Sequence, residues 1–175
     1  MYTKWLIDPL HSFVRFDAHY LLLTKLYGWC TEFDGIFRTK EHFAIQSINF
    51  NIYTHSLQTG NKGRDMQLKS GSFLDCSNFP VISYASETIQ ASGDAISAIG
   101  LMRIKDIERK TTLTLDHKGF ASDQYGNTKA GIVANIRINA SAFNLKFDDF
   151  CRHDIHCVSD EINLQLELQL LKFST

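Results

Sequence analysis

The strictest pattern in the sequence is an alternation of apolar and polar side chains over residues 162–170. Every even position in this stretch is Ile or Leu, and every odd position is Asn, Gln or Glu. Because successive side chains of a strand point to opposite faces of a sheet, this period of two predicts a long strand with one buried face. Such a strand needs further strands to pair with its backbone and apolar groups to cover its buried face.

Comparable patterns recur along the chain and predict about eight strands. Residues 48–52 and 130–138 alternate in the same way, and residues 25–37 contain two glycines that favour a bend within a long strand. Most connections are short, which favours antiparallel neighbours, and sheets of this size usually close or fold over. We therefore expect a single, mainly β domain over residues 1–175 that forms an antiparallel eight-stranded β-barrel.

The one interruption of this alternation lies within residues 56–80. Asp65 and Lys69 stand four residues apart, in the order that supports a helix. Ser70-Gly71 then supplies a stop, because glycine tolerates the backbone conformations that end helices. We expect a short helical segment here that caps one end of the barrel.

The composition excludes several classes of partner. A formal net charge of -1 gives no reason to expect nucleic acid or an anionic membrane surface as a partner. No apolar stretch approaches the roughly 20 residues of a spanning helix, so we expect no stable membrane insertion.

The apolar triplet Leu21-Leu22-Leu23 is instead expected to cross an open end of the barrel. No long apolar segment follows Lys4, which predicts a cytoplasmic protein, or a periplasmic one if a signal has been removed.

Signals for catalysis are weak. Ser56, His55 and Asp65 could be assembled into a triad, but no nucleophile-elbow motif surrounds any serine. His55 and Ser56 are neighbours, so on a strand they would point to opposite faces. We therefore expect no catalytic residues and no enzyme activity.

The four cysteines, Cys30, Cys76, Cys151 and Cys157, are irregularly spaced, and we expect reduced thiols, some of them buried. Residues 151–157 combine two cysteines with two histidines, which are all metal-ligand types. Their spacing matches no known zinc motif, so we expect no metal and no other cofactor. A small metal-dependent enzyme or stress protein that uses this loop is the alternative.

Short motifs in a specific order cover nearly the whole chain. They are Ile7-Asp8, His11-Ser12-Phe13-Val14-Arg15-Phe16, Gly28 with Phe33-Asp34-Gly35, Ser56 with Thr59-Gly60, Arg64-Asp65 with Leu68-Lys69-Ser70, Phe73-Leu74-Asp75, Phe79-Pro80, Lys129-Ala130-Gly131, Phe143-Asn144-Leu145 and Val158-Ser159-Asp160-Glu161-Ile162. With these motifs the chain resembles the YceI-like family of polyisoprenoid-binding, lipocalin-like proteins. It departs from the family pattern at Gln67, where a histidine is usual, and at Ala142, where an aspartate is usual.

The resemblance implies a lipocalin-like barrel whose apolar lumen binds, stores or transports a long-chain isoprenoid or similar lipid without catalysis. It also makes a homodimer plausible. Arg64 is expected to contact an anionic head group, because a guanidinium matches phosphate or carboxylate with two hydrogen bonds. An ion pair on the helix surface, for example with Asp65, is the alternative role for Arg64. The side chains expected to line the lumen are Phe13, Phe16, Phe33, Phe50, Phe73, Ile132, Phe143 and Leu166.

Alternation alone does not separate an open lumen from a filled core. A small barrel can be packed with its own inward side chains, and the pattern of apolar positions is then the same. A ligand-free barrel that acts only through its surface therefore stays open as a further alternative to lipid binding.

Overall fold

The computed structural model describes residues 2–92, 95–147 and 157–173, and within them eleven strands join in one antiparallel sheet. One α-helix, α1 (Lys62–Lys69), follows the sixth strand. No helix among these residues has the length and apolarity needed to cross a bilayer. The strands are β1 (Thr3–Ile7), β2 (Phe13–Tyr20), β3 (Thr24–Cys30), β4 (Phe33–Thr39), β5 (Ile45–Tyr53), β6 (Leu57–Gln58), β7 (Val81–Ser92), β8 (Ala95–Ile104), β9 (Ile107–Ser122), β10 (Thr128–Asn139) and β11 (Val158–Phe173).

The sheet closes into a ring of eight strands, in the order β1-β4-β5-β7-β8-β9-β10-β11 and back to β1. The closing pair joins the two ends of the described chain, with Lys4 opposite Phe173 and Ile7 opposite Leu170. Every pairing in the ring is antiparallel. The predicted eight-stranded antiparallel barrel with one short helix is thus confirmed.

Two positions of the barrel wall are built from two strands each. β11 pairs with β1 through residues 170–173 and with β2 through residues 158–167, so β2 continues the wall above β1. In the same way β3, which pairs with β2, continues the wall above β4. The predicted long bent strand over residues 25–37 corresponds to β3 and β4, which follow each other along the chain with a bend between Cys30 and Phe33.

The buried side chain of Ser56 links the bend between β3 and β4 to the bend between β5 and β6. The Ser56 hydroxyl accepts a hydrogen bond from Glu32 N (3.0 Å) and donates one to Tyr53 O (2.7 Å). Tyr53 N also donates to Glu32 O (3.0 Å). These bonds satisfy backbone groups that leave the regular ladder where the chain passes from β3 to β4 and from β5 to β6.

The half of the barrel that contains β1 and β4 is filled by its own side chains. Phe50 stacks on Tyr84 with ring centroids 5.2 Å apart, and the Tyr84 hydroxyl donates to Ala98 O (2.8 Å). Trp5 packs edge-on against Phe43 (5.1 Å), and its indole Nε1 donates to Thr39 Oγ1 (3.0 Å). We call this half the lower end of the barrel, and the half that α1 covers the upper end.

The sequence pattern predicted that the triplet Leu21-Leu22-Leu23 crosses an open end of the barrel, and this prediction is wrong. The triplet forms the turn between β2 and β3, and all three side chains are exposed. The register of the β2–β3 pair explains the difference, because Tyr20 opposite Thr24 leaves only these three residues to reverse the chain.

Candidate functional site

An apolar cavity of about 120 Å³ lies at the upper end of the barrel, beneath α1. Its walls come from β2, β3, β5, β6, β7, β8, β10 and β11, and it is closed by α1 and by the segments that follow α1 and β10. The surface of this cavity is apolar, and Arg64 is the only charged residue among those that line it. The apolar lining consists of Phe16, Ala18, Leu26, Ile52, Leu57, Leu68, Phe73, Leu74, Ile82, Met102, Ile104, Ile138, Leu145, Phe147, Val158, Ile162 and Leu164.

The helix α1 is held over the cavity by hydrogen bonds at both ends. At its start Asn61 Oδ1 accepts from Arg64 N (3.0 Å), as an N-cap residue does. At its end Leu74 N donates to Leu68 O (3.1 Å), which turns the chain back beneath the helix. Leu68 and Leu74 are therefore buried side by side in the cavity wall.

The carboxylate of Asp65 ties α1 to the segment that follows β6. Asp65 Oδ1 accepts hydrogen bonds from Thr59 N (2.8 Å) and Thr59 Oγ1 (2.5 Å). The expected helix-surface pair between Asp65 and Lys69 is wrong, because the carboxylate in the first helical turn faces Thr59 instead. An ion pair between Asp65 and Arg64 is likewise absent from the described part of the chain.

Arg64 lies half-buried at the rim of the cavity. Its Nε donates to Thr59 Oγ1 (2.9 Å), and one terminal nitrogen approaches Thr59 O (3.5 Å). Among residues 2–92, 95–147 and 157–173, no carboxylate forms an ion pair with this guanidinium. Since a guanidinium has five N–H donors and the bonds to Thr59 use two of them, the others are left for an anion beside Arg64.

Gly28 makes room for one aromatic wall of the cavity. Phe16 is paired with Gly28 across β2 and β3, and a Cβ on Gly28 would lie only 2.1 Å from Phe16 Cζ. The phenyl ring therefore lies directly over the glycine backbone, on the cavity side of the sheet. On the opposite wall Phe73 and Phe147 place their ring centroids 4.9 Å apart.

Two of the eight predicted lumen residues, Phe16 and Phe73, line this cavity. Five others are buried within the packed part of the barrel and do not line it: Phe33, Phe50, Ile132, Phe143 and Leu166. The prediction for these five identified inward-facing side chains correctly but placed them at the wrong depth. Apolar alternation reports which face a side chain takes, and carries no information on where the barrel is open.

The prediction for Phe13 is wrong, because its side chain is 68% exposed. Along β2 the inward positions are Val14, Phe16 and Ala18, so Phe13 has the opposite parity. Two phenylalanines three residues apart on a strand point to opposite faces.

Several cavity residues had no alternation to reveal them, because they lie on α1 or in loops. Leu68 comes from the helix, and Leu145 and Phe147 come from the segment after β10. For Leu68 a signal was present: it stands four residues after Arg64, on the same helix face, and both line the cavity. For Phe147 the sequence offered none.

A second opening of about 530 Å³ adjoins the cavity at the upper end. Leu145, Phe147 and Val158 line both spaces. The far side of the opening is formed by Leu21 and Leu22 from the β2–β3 turn, together with polar residues. The cavity and the opening therefore share part of one wall beside this turn.

The thiol of Cys30 belongs to the cavity wall, and burial raises its pKa to about 12. Burial also raises the pKa of the Cys76 thiol, and both cysteines are free. At neutral pH these thiols are protonated and behave as small apolar groups. Cys157 is disulfide-bonded, so the expectation of four reduced thiols is wrong.

The proposed metal loop, residues 151–157, lies outside the described residues except for Cys157. A cysteine in a disulfide offers no thiolate to a metal. The described residues contain no group of three or more His, Cys, Asp or Glu side chains placed to hold a metal ion.

The residues considered for a catalytic triad do not form one. His55 Nε2 lies 3.0 Å from Glu32 Oε2 on the exposed surface. The Ser56 hydroxyl is bonded to backbone groups at the bend, and Asp65 is bonded to Thr59. Each of the three has a structural partner, and no proton relay joins them.

The sequence matches the model of the YceI-like domain over residues 5–170. Protein YceI of Salmonella newport (strain SL254) is 30% identical over 139 residues, which cover 79% of this chain and 73% of that protein. BcnA of Burkholderia cenocepacia has a similar structure, with a TM-score of 0.79 and 21% identity over 93% of this chain and 98% of that one. A polyisoprenoid binding domain from Saccharophagus degradans, implicated in plant cell wall breakdown, aligns with a TM-score of 0.70 and 11% identity over 98% of both chains.

Proposed function

Since the chain belongs to the YceI-like domain family, we propose that it binds a long-chain isoprenoid or a similar lipid in the upper cavity and carries or stores it without catalysis. The observation that carries this proposal is an apolar cavity with a single cationic side chain at its rim. An apolar chain gains about 0.8 kcal/mol for each methylene group transferred from water to such a site. The polyisoprenoid binding domain with a similar fold supports the same class of ligand.

Arg64 is the group we assign to the ligand's head. Its contacts with Thr59 orient the guanidinium at the rim. A phosphate or carboxylate there would complete the hydrogen bonding of a half-buried cation, which favours an amphipathic lipid over a plain hydrocarbon.

The ligand-free cavity is smaller than a long lipid. An apolar cavity of about 150 Å³ is known to accept benzene, so about 120 Å³ accepts only a short piece of a chain. A longer tail therefore requires wall residues to move. The candidates for this movement are α1, whose Arg64 and Leu68 line the cavity, and Phe147, which lines both the cavity and the opening, because both lie outside the barrel ring.

The first test is native mass spectrometry of the freshly purified protein, with mass spectrometry of its organic extract. We expect a stoichiometric lipid with an isoprenoid or other long apolar chain. Ala18→Phe fills the cavity from its β2 wall and is expected to abolish lipid retention. Phe13→Ala, which alters an exposed phenylalanine on the same strand, is the matched control and should retain the lipid as the wild type does.

The head-group assignment is tested by adding polyprenyl phosphate and polyprenol to the delipidated protein. Arg64→Gln should weaken the phosphate by about ten- to hundredfold and leave the alcohol nearly unchanged, as expected for loss of charged hydrogen bonds. Lys62→Gln, which removes an exposed cation from the same helix, should alter neither affinity. Equal affinities of Arg64→Gln and wild type for the phosphate would contradict the role of Arg64.

A barrel that acts only through its surface is the second candidate, favoured by the self-filled lower end. It predicts an empty protein on purification and no binding when isoprenoids are added back. That pair of results would replace the lipid-binding proposal.

A further inference from the structure

The turn between β2 and β3, residues 21–23, presents three leucines to solvent at the upper end of the barrel. We call these residues the leucine tip. Leu22 is 83% exposed and Leu23 is 81% exposed, and Leu21 is also exposed. Tyr20, beside the tip, is exposed as well. A contiguous group of large exposed apolar side chains marks a surface that contacts another apolar phase or molecule.

The backbone of the leucine tip disfavours leucine. Leu21 has φ of 50° and Leu22 has φ of 58°, and hairpin turns with positive φ normally use Asn or Gly. The turn is nevertheless held firmly, because Leu23 N donates to Tyr20 O (3.0 Å) and Leu21 N donates to Cys157 O (2.7 Å). Asn or Gly at these positions would make the turn more stable, so we expect the leucine side chains to have a role other than stabilising the fold.

The leucine tip borders the opening that adjoins the cavity. Leu21 and Leu22 form one side of that opening, and Phe147 and Val158 line both the opening and the cavity. Lys146 and Asp160 also line this opening, and Lys25 of β3 pairs with Asp17 at 2.9 Å. Tyr20 and Tyr27 are exposed on the same hairpin, and tyrosine is enriched where proteins meet the membrane–water interface.

We propose that the leucine tip inserts reversibly into the outer part of a lipid bilayer and so places the cavity opening against the membrane. The partner is a bilayer because the exposed group is a small apolar tip with a tyrosine beside it, and because the opening that it borders shares wall residues with the apolar cavity. The contact is peripheral, with the barrel itself outside the bilayer. Its role in lipid transfer rests on the proposed function, whereas the bilayer contact itself does not.

The test is co-sedimentation of the purified protein with phosphatidylcholine vesicles at low and at high salt. We expect binding that salt does not weaken, because the contact is apolar. Leu22→Asn should reduce the partition coefficient by about tenfold, as removal of one inserted leucine does. Leu10→Asn is the matched control, because Leu10 is 86% exposed but lies between β1 and β2, away from the opening, and it should bind as the wild type does.

Asparagine is chosen because it tolerates the positive φ of residue 22, so the variant keeps the fold and its stability is expected to rise. The proposal is overturned if the wild type does not bind the vesicles, or if Leu22→Asn and Leu10→Asn lose binding equally. It is also overturned if the wild type is an oligomer that Leu22→Asn dissociates, because the tip then contacts a second copy.

A transfer assay separates this inference from the proposed function. Extraction of polyprenyl phosphate from the same vesicles should slow in Leu22→Asn, while its affinity for that lipid presented without vesicles stays at the wild-type value. Vesicle binding through the tip without any isoprenoid binding would leave the bilayer contact standing and refute the lipid-carrier proposal. Isoprenoid binding without vesicle binding would refute the bilayer contact and leave the lipid-carrier proposal standing.

Discussion

At the scale of single residues, the cavity depends on the pairing of a bulky side chain, Phe16 of β2, with a glycine, Gly28 of β3. The Phe16 ring occupies the space that a side chain on Gly28 would need, so neither position is free to change alone. The sequence marked both positions as family motifs, and Phe16 was among the side chains predicted to line the lumen. The contact itself could not be predicted, because the pairing register of β2 and β3 is set by a three-residue leucine turn that carries no turn signal.

Gly28→Ala is expected to destabilise the protein by about 1–3 kcal/mol, the usual cost of overpacking a filled site, and to displace Phe16 from the cavity wall. Urea denaturation measures the change in the free energy of unfolding. Gly63→Ala is the control, because a Cβ there meets nothing closer than Asn61 Oδ1 at 3.5 Å and the residue lies in a helix. That variant should gain about 0.5–1 kcal/mol. If the free energy of unfolding of Gly28→Ala equals that of the wild type within error, the Phe16 ring moves aside without cost.

At the scale of secondary-structure elements, α1 is the part of the fold that was placed correctly but explained incorrectly. Its position within residues 56–80 followed from the interruption of alternation. Its stabilisation was attributed to an Asp65–Lys69 pair, whereas Asp65 binds Thr59 and Asn61 caps the first turn. Spacing along one helix predicts contacts within that helix, but contacts to the preceding loop depend on how the chain enters it.

Asp65→Ala is expected to loosen α1 while leaving the barrel intact. The loss of hydrogen bonds from Thr59 costs about 1 kcal/mol of local stability, which corresponds to about fivefold faster amide exchange in α1. Hydrogen–deuterium exchange resolved to peptides checks this, with Met66→Ala at an exposed position of the same helix as the control. If α1 exchanges alike in the two variants, the link between Asp65 and Thr59 does not hold the cap.

At the scale of the whole molecule, the barrel was predictable because its strands repeat one simple period over most of the chain. The location of the cavity was not, because residues such as Phe33 and Leu166 look the same in the sequence whether they line a space or fill it. The difference arises where β2 and β3 replace β1 and β4 in the wall. That exchange is a property of the ring as a whole.

One ion pair that spans the fold predicts a dependence of its stability on pH. Asp8, which follows β1, and Lys129 of β10 pair at 2.6 Å with both side chains largely buried. Burial alone would raise the pKa of Asp8, but hydrogen bonds from Lys129 and His11 outweigh it and hold the pKa below the usual 3.8. A lowered pKa in the folded state means that the carboxylate stabilises the fold above its unfolded pKa, and that this contribution disappears as the pH falls through the folded value.

Urea denaturation between neutral and acidic pH is expected to show a smaller loss of stability in Asp8→Asn than in the wild type below about pH 4. At neutral pH the variant should be the less stable of the two, because Lys129 loses a charged partner. Asp116→Asn, which changes an exposed carboxylate paired with Lys118, is the control and should follow the wild type. Parallel curves for Asp8→Asn and the wild type would exclude Asp8 as the acid-sensitive group.

The ring closes between β1 and β11, with Lys4 opposite Phe173. During synthesis the first strand therefore emerges from the ribosome long before its partner. Until β11 has followed, β1 and β10 each lack a neighbour, and the growing chain exposes unpaired strand edges that invite pairing with other chains. Pairing between such distant segments is also slow. Aggregation during translation is thus the characteristic hazard of this topology, and a chaperone that shields the early strands would relieve it.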